Sequence, residues 1–322
     1  MKISVVIPCY RSEATLPSVV DETIRVLRER ESVDYEIILV DDGSPDGTLA
    51  TIRSLCENRR IKGIGLARNF GQPCASLAGF SAVTGDVVVY SDDDGQTPID
   101  RLWLLVDELA KGSDIVFATF RDERPSPLQR LGRVVNNLMA THLIGKPPHL
   151  HFGNFWVCRR FVVDEVVKYK NPFPYLGGIF VKTTQHMSEV QTNQRPRLAG
   201  RSNYSPRKML RLWLNGFTAF SVVPLRLATG LGIGIAASGF VFAAYLTLQK
   251  LVNPAIQAGY SSIMATLLVM GGLTISLLGV VGEYVGRIYM NINGVPQYVV
   301  RESLNIHGRE QSLGAEIRSR AV

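Results

Sequence analysis

The chain has 322 residues, a formal net charge of +7, a pI near 9.3 and 20% charged residues. That length accommodates one globular domain plus a membrane segment. Four scattered cysteines (Cys9, Cys56, Cys74, Cys158) with no CxxC pair exclude a disulfide framework and a cysteine zinc site, and read as reduced thiols of a cytosolic domain.

The chain opens on Ile3–Pro8, a short apolar run that reads as a buried parallel strand. Met1-Lys2 leads directly into it, so no signal peptide is expected. A helix over about 15–30 follows, then a strand over 35–40 ending at Asp41-Asp42-Gly43-Ser44, and a helix over about 47–58. A third strand covers 62–66, a helix rich in small residues 74–84, and a fourth strand 86–90, ending at Asp92-Asp93-Asp94. A helix over 98–111 and a strand over 114–119 complete the alternation. Strands alternating with helices predict an α/β, doubly wound, mostly parallel sheet, whose ligands bind beyond the carboxyl ends of the strands. Both aspartate clusters fall at such ends.

Beyond Phe120 the pattern loosens into a charged, proline-rich loop over 121–127, a helix over 128–144, an irregular stretch over 147–155 and a helix over 161–169. Residues 207–220 place Met209, Leu210, Trp213, Leu214, Phe217 and Phe220 at helical spacing behind Arg207, Lys208 and Arg211, which fits an amphipathic helix at a membrane surface; a packing helix of the soluble domain is the alternative. Arg226 and Lys250 enclose 23 uncharged residues, and Lys250 and Glu283 enclose 32 more. Each exceeds the roughly 20 apolar residues that span a bilayer. The expected organisation is a cytoplasmic catalytic domain (1–204), an interfacial helix (205–226), transmembrane helices at 227–249 and 262–282, and a polar cytoplasmic tail (283–322). Basic residues flank the hairpin and its connector is uncharged, which puts both termini in the cytoplasm. Five basic and no acidic residues between Arg201 and Arg226 favour membrane phosphates over nucleic acid as a partner.

The chemistry centres on the acids. Side chains alternate along a strand, so Asp92 and Asp94 share a direction and Asp93 points away. Two carboxylates there suit Mg²⁺ or Mn²⁺ bridging to a substrate phosphate; a solvated acidic loop is the plain alternative. Asp42 is placed to accept hydrogen bonds from a ribose or base, while Ser44 or Asp46 can cap the following helix. GxxxxGK[ST], GxSxG and HExxH are absent, and no GxGxxG follows the first strand, which argues against P-loop, nicotinamide, serine-hydrolase and zincin chemistry.

The ordered segments VVIPCY (5–10), VDDGSPDGT (40–48), ARNFGQ (67–72), AGFSAVTGD (78–86) and SDDDGQTP (91–98) resemble glycosyltransferase family 2, with the GT-A fold. RPRLAGRSNY (195–204), TAFSVVPLR (218–226) and VVGEYVGRIY (280–289) resemble its polyprenyl-phosphate branch, that of dolichol-phosphate mannose synthase and bacterial relatives with a C-terminal membrane hairpin. The resemblance implies a nucleotide-sugar donor, a UDP-sugar, and undecaprenyl phosphate as acceptor in a bacterial inner membrane. It implies nucleotide contacts from Pro8, Tyr10, Glu13, Asp42, Asp92 and Asp93, a metal on Asp92 and Asp94, and lipid-phosphate contacts from Arg197, Arg201 and Ser202. A homotetramer would fit it. Acceptor phosphate is anionic near neutral pH and needs steering more than a base, so in-line attack with inversion is expected, guided by Arg197.

The chain departs from the family pattern. Arg11 stands where Asn is usual, Asp93-Asp94-Gly95 replaces Ala-Asp-Leu, Asn203 replaces a frequent Lys, and His151 stands near a frequent Asp. His151 is a candidate catalytic imidazole, or the reaction uses no base. Without a third ligand nearby, His149 and His151 read as loop histidines rather than a metal pair. A family 2 transferase with a saccharide or other lipid acceptor, and a non-catalytic nucleotide-binding membrane partner, are the alternatives.

Overall fold

The computed structural model describes residues 1–120, 141, 145–147, 150–172, 174–193, 223–252 and 259–306. The helices expected over 128–144 and 207–220 fall largely or wholly outside them. The chain divides into two compact units, one of Met1–Ser205 with Pro296–Val322 and one of Pro206–Val295.

The first unit is built on an eight-stranded mixed sheet in the order β7-β5-β6-β4-β1-β2-β3-β8. The strands are β1 (Lys2–Cys9), β2 (Asp34–Asp41), β3 (Ile61–Leu66), β4 (Val87–Tyr90), β5 (Ile115–Phe120), β6 (Trp156–Arg159), β7 (Met187–Thr192) and β8 (Val300–Leu304). β1 pairs in parallel with β2 and β4, β2 with β3, and β5 with β7; β6 and β8 run antiparallel to their neighbours. The central strands are near-continuous Val, Ile and Leu because helices cover both their faces. Those helices are α1 (Leu16–Leu27), α2 (Thr48–Leu55), α3 (Gln72–Ser81), α4 (Leu102–Ala110), α5 (Arg160–Val167) and α6 (Leu176–Thr183).

Small residues let α3 lie close to the sheet. A Cβ on Gly79 would come within 2.5 Å of Val6 Cγ1 and 3.1 Å of Val40 Cγ2. This seats the start of α3 over the carboxyl ends of β1 and β2. β1 and β4 remain paired only up to Val6 and Tyr90. Beyond that point their chains separate, and Pro8, which has no N–H to give, falls in the unpaired stretch on the β4 side. Strand order reverses here, so the split is the sheet's topological switch point.

Sequence reading missed four elements. β6 and α6 lie in stretches where it placed no strand or helix, and β7 is a half-exposed edge strand. β8 comes from the expected polar tail. It pairs antiparallel with β3, Arg53 grips Glu302 through two bonds of 3.0 and 2.6 Å, and Asn305 Nδ2 donates to the carbonyls of Cys56 and Ile61.

The second unit holds α7 (Val223–Val252) and α8 (Tyr260–Ile292), which touch each other, Gly232 facing Leu277. Among the described residues one stretch, Val269–Ile292, is long and apolar enough to cross a membrane, by length and composition; Ala228–Phe242 is a shorter apolar stretch. The candidate span therefore runs about ten residues beyond the expected 262–282, through Glu283 and Arg287.

One buried ionic knot joins the sheet below the crevice. Glu36 on β2 is 3% exposed. It accepts from Ser4 Oγ (2.6 Å) on β1, and from Thr84 N (2.7 Å) and Oγ1 (2.7 Å) before β4; Lys2 and Lys62 lie at 3.0 and 2.9 Å. Burial alone would raise its pKa, but the hydrogen bonds from Ser4, Lys62, Thr84 and Lys2 hold it at about 2, below the ordinary 4.5. Breaking such a buried group typically costs about 3–5 kcal/mol, so Glu36→Ala should lower the unfolding free energy by about that much in denaturant titrations. Because the folded pKa is depressed, the stabilisation is complete above about pH 4.5 and is lost as pH falls toward 2. Glu36→Gln should flatten that acid limb.

Candidate active site

At the switch point the two acid clusters divide into members with different partners. Asp41 Oδ1 accepts from Ser44 N at 3.1 Å, closing the turn after β2. Gly43 occupies that turn at φ +64°, where a Cβ would strike the Arg68 backbone at 2.4 Å. Asp42 accepts from two backbone donors, Phe70 N (2.7 Å) and Gly71 N (2.9 Å), and so fixes the loop leading into α3. Burial raises the pKa of both acids, and these hydrogen bonds oppose it.

Asp93 is turned toward the loop after β1. Its Oδ2 accepts from Tyr10 N (3.0 Å) and from the Ser12 hydroxyl, and its carbonyl accepts from Thr15 Oγ1 (2.8 Å). That loop is further tied by Ser12 N to Thr48 Oγ1 (2.9 Å) and Arg11 N to Ser44 Oγ (3.1 Å). Glu13 reaches away from Asp93, its Oε2 accepting from Gly47 N at 3.0 Å at the start of α2. Asp46 accepts from Thr48 N (3.3 Å) and Oγ1 (2.6 Å) in a turn before this helix, whose N-cap is Gly47, so neither Ser44 nor Asp46 supplies the side-chain cap expected from the sequence.

Asp92 and Asp94 remain. Asp94 Oδ1 accepts from Gln96 N at 3.0 Å. Asp92 is met by two side-chain amides, Gln72 Nε2 on Oδ1 (2.8 Å) and Asn154 Nδ2 on Oδ2 (3.1 Å). Burial raises the Asp92 pKa to about 7; the Asn154 and Gln72 bonds oppose this, and the nearby charges of Asp94 and Asp93 add to it. Crowded acids of this kind suit a divalent cation. Mg²⁺ needs only one or two protein carboxylates, the rest of its shell coming from water and substrate phosphate. Among the described residues no three His, Cys, Asp or Glu side chains form a group that could hold a metal ion by themselves.

His151 lies three residues before Asn154, on the same loop. Its N donates to Glu189 Oε2 at 3.0 Å, and its Nδ1 lies 3.3 Å from the same oxygen. The imidazole is 68% exposed. Pro8 is buried at the end of β1, and Tyr10 is half-buried. Arg197, Arg201 and Ser202, and His149, lie outside the described residues. All four cysteines are free and buried, and burial pushes Cys9 and Cys158 well up and Cys56 and Cys74 to about 11, so none offers a thiolate. Gln72, Ser12, Asn154 and Glu189 were missed in the sequence. Gln72 ends the ARNFGQ segment and could have been found there; Asn154 sits in a stretch with no periodicity.

A switch-point crevice edged by acids is the ligand site of a doubly wound α/β enzyme. The chain belongs to glycosyltransferase family 2: the model of glycosyl transferase family 2 matches residues 4–167, and that of the GtrB C-terminal hairpin matches residues 223–288. It is 30% identical over 308 residues to the SfII prophage-derived bactoprenol glucosyl transferase of Shigella flexneri, covering 94% of this chain and 98% of that one. It is 31% identical over 312 residues to the undecaprenyl-phosphate 4-deoxy-4-formamido-L-arabinose transferase of Proteus mirabilis, covering 95% and 94%. Among solved structures, the glucosyl-3-phosphoglycerate synthase of Mycobacterium tuberculosis in complex with Mn²⁺ and UDP-glucose is 19% identical, with a TM-score of 0.49, covering 66% of this chain and 74% of that one.

Arg11 has φ +59°, in the left-handed region that Asn adopts more readily than Arg. This is a physical reason for the family's usual Asn there. Its guanidinium sits 5.4 Å from the Tyr10 ring, which recovers only part of the strain. Arg11→Asn should stabilise the protein by about 1 kcal/mol, the low end of what the left-handed region costs an L-residue, read as a rise in Tm of about 2–4 °C.

Proposed function

We propose that this glycosyltransferase moves a sugar from a UDP-sugar to the phosphate of undecaprenol, with inversion, at the cytoplasmic face of a bacterial inner membrane, to supply glycan or O-antigen modification. The observation that carries the reading is the pairing of a crowded Asp92–Asp94 site with full-length similarity to bactoprenol and undecaprenyl-phosphate sugar transferases, hairpin included.

Asp92 and Asp94 would hold Mg²⁺ or Mn²⁺. Bound there, the ion would neutralise the charge that develops on the departing nucleoside diphosphate. Asp93 supports the site indirectly by holding the 10–12 loop, with Pro8 and Tyr10, against the β4 end. Asp42 does the same for the 70–71 loop, and Glu13 for the start of α2, so on this reading the two acids shape the nucleotide pocket through the loops they hold. Glu189 holds His151 Nδ1, which leaves Nε2 to bind the acceptor phosphate or take its proton. Arg197, Arg201 and Ser202 are assigned to the lipid phosphate, where cations offset its repulsion from the donor diphosphate.

Chain closure supports the membrane topology. The segment before the hairpin and the segment after it both belong to the sheet-bearing unit, because β8 pairs with β3. A single crossing would put β8 on the opposite side of the membrane from β3, so the β8–β3 pairing supports a reading with two crossings over one with a single crossing. We therefore assign both α7 and α8 as transmembrane, with the sheet and both termini cytoplasmic, consistent with the basic residues flanking the hairpin.

Membranes carrying the protein, incubated with labelled UDP-sugars and undecaprenyl phosphate, should yield acid-labile labelled lipid. EDTA should abolish the product, and Asp94→Ala should lower kcat about 10²–10³-fold. Unchanged transfer by that variant removes the metal role, and label found only in an oligosaccharide removes the lipid acceptor.

A further inference from the structure

Asp92 is gripped from two sides by groups that no acidic-motif reading includes. Gln72, the first residue of α3, donates through Nε2 to Asp92 Oδ1 at 2.8 Å and to Tyr90 Oη at 3.0 Å. Tyr90 Oη in turn lies 3.2 Å from Ser76 Oγ, one turn along α3, and the Tyr90 ring stacks on Trp156 at 5.1 Å with an interplanar angle of 3°. Asn154, just before β6, donates through Nδ2 to Asp92 Oδ2 at 3.1 Å. Each carboxylate oxygen thus takes one N–H and keeps lone-pair capacity for a further partner. The orientation of both amides follows from chemistry, since an amide oxygen turned toward an ionised carboxylate would repel it.

This is more than a capped turn. The two donors come from separate elements, α3 and the β6 approach, and meet different oxygens of Asp92, and one is itself anchored through Tyr90 to the aromatic core. Rotation of the carboxylate about its own axis would break both bonds together. By contrast, Asp42 is held by two backbone donors of the loop it fixes, and Asp93 by Tyr10 N and the Ser12 hydroxyl of a single loop.

We propose that Gln72 and Asn154 are positioning residues of the cation site, clamping the Asp92 carboxylate in one plane so that it presents a fixed oxygen geometry to a divalent ion. The proposal rests on the reading that the ion sits on Asp92 and Asp94. Partners that orient a metal-ligating side chain are commonly worth about ten- to a hundredfold in metal affinity.

The test uses the full chain in detergent micelles with UDP present, Mn²⁺ being titrated against a protein-free Mn²⁺–UDP control and its protein-bound fraction followed by electron paramagnetic resonance. Gln72→Met and Asn154→Leu, which retain approximate size and lose the N–H donors, should each raise the Mn²⁺ Kd about tenfold or more. Excess Mn²⁺ should restore part of the lost transferase activity, which a purely structural lesion would not permit. A Kd within about twofold of the parent in a folded variant overturns the clamp while leaving the metal reading intact. A parent chain that binds no Mn²⁺ overturns both. Because the donors come from separate elements, either variant decides the matter if the other fails to fold.

Discussion

The physical constraint beneath this structure is the crowding of carboxylates where the sheet splits. Asp41, Asp42, Asp92, Asp93 and Asp94 all lie at the carboxyl ends of β2 and β4. Buried like charges are costly unless each finds donors or a counter-charge. Asp41, Asp42 and Asp93 find theirs in backbone N–H groups at Ser44, at Phe70 and Gly71, and at Tyr10. The same bonds fix the loops around the crevice. The acids therefore act as staples for the β1–α1, β2–α2 and β3–α3 connections, and the crevice takes its shape from them.

Asp92 is solved differently. Its donors are side-chain amides, its pKa stands near 7, and Asp94 beside it adds to the strain. Its neighbours Asp41, Asp42 and Asp93 each take at least one backbone donor, and Asp92 takes its two from side chains of separate elements. On the proposed reading, this condition suits a cation that arrives with a nucleoside diphosphate, and the five acids divide between loop-fixing and cation-binding roles.

Much of the fold was legible in the sequence because the central strands are uninterrupted β-branched and leucine runs punctuated by helices. The expected strands at 3–8, 35–40, 62–66, 86–90 and 114–119 each overlap an observed strand. The edge strands β7 and β8 and the short inner strand β6 were not legible. β6 is four residues long, β7 is MSEVQT, and β8 is VRESL, so none offers a continuous apolar run. β8 in addition pairs with a strand more than 200 residues earlier, across the hairpin, a distance over which local pattern carries no information. At the site, acids stood out because paired carboxylates at strand ends are rare; the uncharged Gln72 and Asn154 have no such signature, and their role follows only from where α3 and β6 place them.

The hairpin and the crevice meet in one claim, that a cation on Asp92 and Asp94 organises transfer of a sugar to a lipid phosphate at the membrane surface. The most direct measurement is a structure of the full chain in lipid with Mn²⁺ and UDP. The account predicts one ion bound by carboxylate oxygens of Asp92 and Asp94 and by the diphosphate, with Gln72 and Asn154 still on Asp92. An ion held by other residues, or UDP bound outside the split between β1 and β4, would contradict it.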